Sequence, residues 1–143
     1  MASKNVEALR SMHESWNRRD FEGAMRHVAD NVTFTDNPRN LKATGKQEYR
    51  NLLEGWANAF TDGKITSPQY IDGGDTVVVE FSGVGTNDGP IGELPATGRR
   101  VAIPFCEILR FDANNRIIAG SAYYDMYTML QQLGHVQPRA VAA

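Results

Sequence analysis

A single carboxylate stands in an apolar row near the end of the chain. Side chains alternate along a strand, so in Val101–Phe111 the residues Ile103, Phe105, Glu107 and Leu109 share one side. A second apolar stretch, Arg116–Tyr127, follows across Asp112-Ala113-Asn114-Asn115, and asparagine tolerates the positive φ that a tight hairpin demands. A two-residue loop at Asn114-Asn115 sets Glu107 opposite Ala122, with Gly120, Ala122 and Tyr124 on the facing side of the partner strand. Such a carboxyl group lines a cavity, or a bulge shifts its parity and it meets water. A carboxylate buried without a partner titrates above its ordinary range, where a general acid or base works best.

The elements that would hold this row are legible upstream. Val6, Leu9, Met12, His13 and Trp16 recur at helical spacing over Asn5–Arg18, and Asp20 can cap a second, shorter helix buried through Phe21, Ala24, Met25 and Val28. Asn31–Asp36 alternates as a strand with Val32, Phe34 and Asp36 on one face, stopped by Asn37-Pro38. After a loop, Thr44-Gly45-Lys46-Gln47 has the form of a capping box, opening a third helix striped by Tyr49, Leu52, Leu53, Trp56 and Phe60. Ile65–Asp72 and Thr76–Val84 are strands, and Gly85–Gly98 is a loop or bulged strand end. Helices followed by an antiparallel meander imply an α+β domain, its N-terminal helices packed on a curved sheet with a conical cavity between the layers. The expected organisation is one domain over 1–134 and a loosely held tail over 135–143.

Composition narrows the function. Of 143 residues, 41% are hydrophobic and 22% charged, and a formal net charge of −2 with scattered basic residues argues against nucleic acid or an anionic membrane as partner. No apolar run is long enough to span a bilayer, and Met-Ala-Ser-Lys has no signal-peptide core, so the expected location is the cytoplasm. The lone Cys106, facing away from Glu107, fits packing better than nucleophilic chemistry.

Other constellations fall away. His13-Glu14 begins a zinc-protease string, but Asn17 stands where the second histidine should be, and His13, His27 and His135 are not at ligand spacing. His13 on a helical stripe fits a satisfied core histidine. The glycines of Gly83–Gly92 make neither a dinucleotide fingerprint nor a phosphate loop, and no Gly-x-Ser-x-Gly elbow occurs. No cofactor or metal is expected. Aromatic residues remain: if a cavity is left open, Trp16, Phe34 and Tyr124 suit a flat, apolar, polycyclic ligand.

The chain resembles the SnoaL-like polyketide cyclases of the nuclear-transport-factor-2-like superfamily. The resemblance rests on Trp16-Asn17-Arg18-Arg19-Asp20 between two helices, Val32–Asp36, Gly85-Thr86-Asn87 with Gly92 and Pro95-Ala96-Thr97-Gly98-Arg99, the Arg110–Ile117 hairpin, and the ending from Asp125 to Gln132-Leu133-Gly134. It implies a cone-shaped α+β barrel, homodimers or higher oligomers, and a hydrophobic pocket in which an acidic side chain removes a proton beside a carbonyl, closing a ring without a cofactor. It places the family's acid/base aspartate at Ala122, the accompanying histidine at Glu107 and a further histidine at Asn87. Asp125 falls beside the catalytic position, facing the other side of the strand, and is expected to be structural.

The expected function is therefore acid–base chemistry on an apolar carbonyl compound, with Glu107 as base and Tyr124 and Asn87 donating hydrogen bonds to the enolate. Trp16, Phe34, Asp36, Tyr49, Phe105 and Ala122 would line the substrate. The alternative is a binding module that holds such a ligand without turning it over. Epoxide hydrolysis, which the superfamily also supports, needs water between paired carboxylates with an arginine, and no such inward-facing set is legible.

Overall fold

The computed structural model describes residues 3–137. The chain runs α1 (Lys4–Asn17), α2 (Phe21–Met25), β1 (Val28–Asp36), β2 (Leu41–Thr44), α3 (Lys46–Ala59), β3 (Lys64–Asp72), β4 (Thr76–Thr86), β5 (Arg100–Phe111), β6 (Ile117–Tyr124) and α4 (Met126–Leu133). Six strands form one sheet in the order β2-β1-β6-β5-β4-β3. From β3 to β6 it is the expected antiparallel meander, while β1 lies parallel to β6. α1 packs on β3 and β4 and α3 on β1 and β2, which leaves the opposite face of the sheet with exposed Ile71, Ile108 and Tyr123. The expected tail from His135 onward falls largely on residues 138–143, outside the described residues.

Local chemistry explains the helix ends. Ser3 accepts from the Val6 amide to open α1, and Asp20 accepts from the Gly23 amide to open α2. At α3 the cap differs from the expected capping box. Thr44 is drawn into β2, a strand where the sequence pattern predicts a loop, so the N-cap moves to Gly45 at φ 92°. Half of a box survives one residue later, with Glu48 accepting from the Thr44 amide at 2.9 Å. β6 ends at Tyr124, three residues short of the expected Tyr127, because Asp125 caps α4 through the Thr128 amide and hydroxyl.

The β5–β6 hairpin pairs Glu107 with Ala122 as expected, by a different route. The turn has three residues between Asp112 and Arg116, not two: the Asp112 amide donates to the Arg116 carbonyl and Asn115 takes φ 59°. That shifts the register by one, and an irregularity just beyond Arg110/Phe111 shifts it back.

One arginine ties the helices to the sheet. Arg19, at φ 64° after α1, donates to the carbonyls of Trp16, Phe60, Thr61 and Gly63, and its guanidinium lies 4.4 Å from the centre of the Trp16 ring. A lysine has one nitrogen where the fork has several, and cannot serve four carbonyls at once. We expect Arg19→Lys to lose about 2 kcal/mol of stability in urea titration, the scale of a charged hydrogen-bonding group lost.

Candidate active site

The helices and the inner face of the sheet enclose a partly open cavity of about 110 Å³. Met12, His13 and Trp16 reach it from α1, Tyr49, Leu52, Leu53 and Trp56 from α3, and Phe34, Asp36, Phe81, Ile103, Phe105, Glu107, Ala122 and Tyr124 from the sheet. Phe81 stacks on Phe105 at 5.2 Å and 5°, and Phe105 covers Gly83, where a Cβ would stand 2.7 Å from its ring. Trp16, Phe34, Asp36, Tyr49, Phe105, Glu107, Ala122 and Tyr124, singled out from the sequence, are thus brought together.

Asn87 is the exception among them. It is 1% exposed and not part of the cavity wall; its amide nitrogen donates to the carbonyls of Ala59 and Gly89, and its side-chain oxygen accepts from the Thr97 amide. It anchors the loop after β4 and has no donor left for an enolate.

Two polar clusters interrupt the apolar wall. In one, the Glu107 side chain is 14% exposed, and its Oε1 lies 3.4 Å from Nε2 of the buried His13, an ion-pair distance longer than a relaxed hydrogen bond. His13 Nδ1 stands 3.0 Å from the Tyr70 hydroxyl. Facing a carboxylate, Nε2 is the nitrogen placed to carry the proton, so Nδ1 accepts and Tyr70 donates. Burial pushes the Tyr70 phenol up to about 12, against the pull of Arg10 whose guanidinium sits 4.8 Å above the ring, so the hydroxyl keeps its proton. His13 is therefore more than a packed core histidine, and Glu107 is not the solitary carboxylate expected.

In the second cluster the Tyr124 hydroxyl donates to Asp36 Oδ1 at 2.8 Å, and Asp36 Oδ2 accepts from Arg39 Nε at 2.8 Å and Nη2 at 2.7 Å. The Arg39 guanidinium lies over the Trp56 ring at 4.4 Å. Burial first, then the neighbouring Asp36, pushes the Tyr124 phenol far above its ordinary value. With its O–H bonded to Asp36, Tyr124 has no donor to spare for a ligand. That corrects the expectation that it donates to an enolate.

Asp36, Ala122 and Glu107 are register partners across β1, β6 and β5. Two strand spacings put the backbones of the two acids roughly 10 Å apart, with only a methyl group between. Two inward carboxylates and an arginine are thus present after all, but both Asp36 oxygens are engaged and none is free to hold water.

Three of these residues escaped sequence reasoning. Tyr70 turns inward because β3 carries an extra residue at Ser67-Pro68, where Ser67 has φ 52°. The proline inside a strand pattern was the signal. Arg39 sits in the turn after Asn37-Pro38, where nothing marks its partner; for His13 the cavity beside its stripe was missing. Among the described residues no three His, Cys, Asp or Glu side chains gather to hold a metal, and no helix is long and apolar enough to cross a membrane.

A curved sheet packed by helices around an apolar pocket with a few convergent polar groups is the nuclear-transport-factor-2-like architecture. The chain belongs to the SnoaL-like polyketide cyclase family, whose model matches residues 6–133. Similar solved structures include AclR, a proposed hydroxylase from Streptomyces galilaeus, at TM-score 0.81 and 21% identity over 95% of this chain and 84% of that one. A proposed SnoaL-like polyketide cyclase from Jannaschia sp. CCS1 superposes at TM-score 0.83 and 16% identity, covering 95% of this chain and 94% of its own. TerC, co-crystallised with polyporic acid, gives TM-score 0.75 and 16% identity over 92% and 99% of the two chains. Among curated proteins none matches the sequence significantly.

The Tyr70 phenol predicts an alkaline limb in stability. Its folded value of about 12 exceeds the ordinary 10.0, so its contribution is complete below pH 10.0 and is lost as pH rises through about 12. Denaturant titrations at a series of pH values should show the wild type losing more stability across that window than Tyr70→Phe.

Proposed function

We propose that the protein is an acid–base enzyme that needs no cofactor and acts on a hydrophobic carbonyl compound, by intramolecular aldol cyclisation or by isomerisation. The observation that carries this reading is Glu107: it faces the cavity, and among the described residues only His13 Nε2, 3.4 Å from Oε1, meets its carboxylate. In the reaction Glu107 takes the proton from the carbon beside the carbonyl. The C–H electron pair becomes the new C=C bond, and the carbonyl π pair moves onto oxygen. The enolate then attacks a second carbonyl of the same molecule, whose π pair becomes an alkoxide that takes the proton back from Glu107, or Glu107 returns the proton to another carbon; either way the carboxylate is regenerated. His13 steadies Oε1 and leaves the second oxygen to the substrate, and Tyr70 holds the imidazole in the donating tautomer. A base positioned in this way contributes about 10²–10⁴-fold.

The ligand is apolar and ring-containing. At about 110 Å³ the cavity is on the scale of the roughly 150 Å³ voids that accept one benzene ring. It therefore takes the reacting ring, and the remainder of a polycyclic substrate extends through the open side. A non-catalytic binding module is the second reading, favoured by Ala122 at the position to which the resemblance assigns the family's aspartate.

Deuterium uptake from D2O into cyclic β-keto esters and enones, followed by NMR, tests the assignment. Glu107→Gln should slow exchange at least 10²-fold while ligand affinity is kept. Exchange at the wild-type rate in that variant would remove Glu107 as the base, and ligands that bind without exchanging would favour the binding module. We further propose a homodimer formed through the outer face of the sheet, where Ile71, Ile108 and Tyr123 are exposed. Ile108→Glu, on that face, is expected to sediment as a monomer where the wild type sediments as a dimer.

A further inference from the structure

An enolate needs a hydrogen-bond donor at its oxygen, and most of the donors around this cavity already have an acceptor in the protein. The Tyr124 hydroxyl donates to Asp36, the Trp16 indole to the Leu53 carbonyl at 3.0 Å, and the Lys64 ammonium to the Asn17 carbonyl at 2.6 Å. The hydroxyl of Tyr70 and the imidazole of His13 serve one another and Glu107. Tyr49 differs. Its side chain is 1% exposed, yet its hydroxyl has no hydrogen-bond partner among the described residues, and it is not sealed in protein either: among them, the one fully buried side-chain polar atom lacking a partner is His135 Nε2. The residue lines the cavity, so its hydroxyl opens onto the cavity space. An unmade hydrogen bond at so buried a group costs free energy, which a ligand oxygen would recover.

The ring is also held in place. Tyr49 stacks on Phe34 at 4.6 Å and 27°, and α3 fixes its backbone. It lies close enough to Glu107 to feel the carboxylate: burial first, and then that charge, push its phenol well above the ordinary value. The group therefore stays protonated, as a donor must.

We propose that the Tyr49 hydroxyl is the oxyanion donor of the site, bonding the carbonyl oxygen of the substrate while Glu107 removes the neighbouring proton. The inference rests on the acid–base function proposed above and deepens it. The substrate proton moves from carbon to a Glu107 oxygen, charge gathers on the carbonyl oxygen, and the Tyr49 proton stays on its own oxygen and hydrogen-bonds that charge. The carboxylate is neutralised as the enolate forms, so repulsion between them falls as the tyrosine bond strengthens. Such a donor acts where charge develops, which makes it a determinant of kcat. The substrate must then carry its acidic C–H and its carbonyl oxygen on adjacent atoms, within reach of β5 and α3 together.

Two measurements test this. In deuterium exchange, Tyr49→Phe should lower kcat by about 10²–10³-fold with KM within a few-fold. Its melting temperature should not fall, since the lost hydroxyl bonds nothing in the protein. An unchanged kcat in Tyr49→Phe, with exchange still lost in Glu107→Gln, would overturn the assignment and leave the acid–base function standing. Independently, 4-nitrophenol and less acidic phenols can be titrated as enolate mimics into Glu107→Gln protein, where the amide imitates the protonated base, with the phenolate absorption reporting the ionised form. Adding Tyr49→Phe should weaken phenolate binding at least tenfold. If the loss instead follows Trp56→Phe, whose part-exposed indole also lacks an acceptor, the donor is misassigned. If the wild type catalyses no exchange, the proposed reaction fails and the phenolate titration alone decides whether Tyr49 is the donor.

Discussion

Keeping a carboxylate dry without leaving it alone is the constraint on which this pocket depends. Glu107 sits in a wall of Phe81, Phe105 and Ile103, and a charge removed from water must find a compensating partner or give up its charge. His13 is that partner, and it can be so only because α1 packs on β3 and β4. The Arg19 clamp holds the end of α1 against the end of α3, and Tyr70 fixes the imidazole from the third side. Remove any of these and Glu107 becomes either solvated or costly. At 3.4 Å the imidazole steadies the carboxylate without saturating it.

The second cluster solves the same problem to the opposite end. Asp36 is as buried as a carboxylate can be, and Tyr124 and Arg39 take up both its oxygens. It is thereby a fixed feature of the wall, shaping the pocket and orienting Tyr124 and Trp56, whereas Glu107 meets only His13. Two acids in one row across the sheet are separated in role by how many donors each one meets, as carboxylates in one site commonly are. Ala122 between them keeps the row open.

Much of this could be read from the chain. Apolar alternation in β5 and β6 and the helical stripes of α1 and α3 are strong periodic signals, and they placed Trp16, Phe34, Tyr49, Phe105 and Glu107 around one cavity. The Glu107–Ala122 pairing followed from a turn one residue too short, and it survived because an irregularity after the turn restores the register. Long-range pairing is what the sequence leaves silent. Nothing local says that the meander folds back to lay β1 parallel to β6, that the loop residue Arg39 reaches Asp36, or that the asparagine after Gly85-Thr86 spends its amide on its own loop. The inward turn of Tyr70 depends on a single extra residue, and one residue of register moves every later side chain to the other face.

That extra residue has a second consequence, for solubility. An open sheet has two free edges, and an exposed regular strand at either one is a template onto which another chain can add. Here one edge is β2, four residues long, and the other is β3, whose ladder is broken at Ser67-Pro68 by a proline without an amide proton. The irregularity that turns Tyr70 toward His13 therefore also denies a neighbouring molecule a continuous strand to extend.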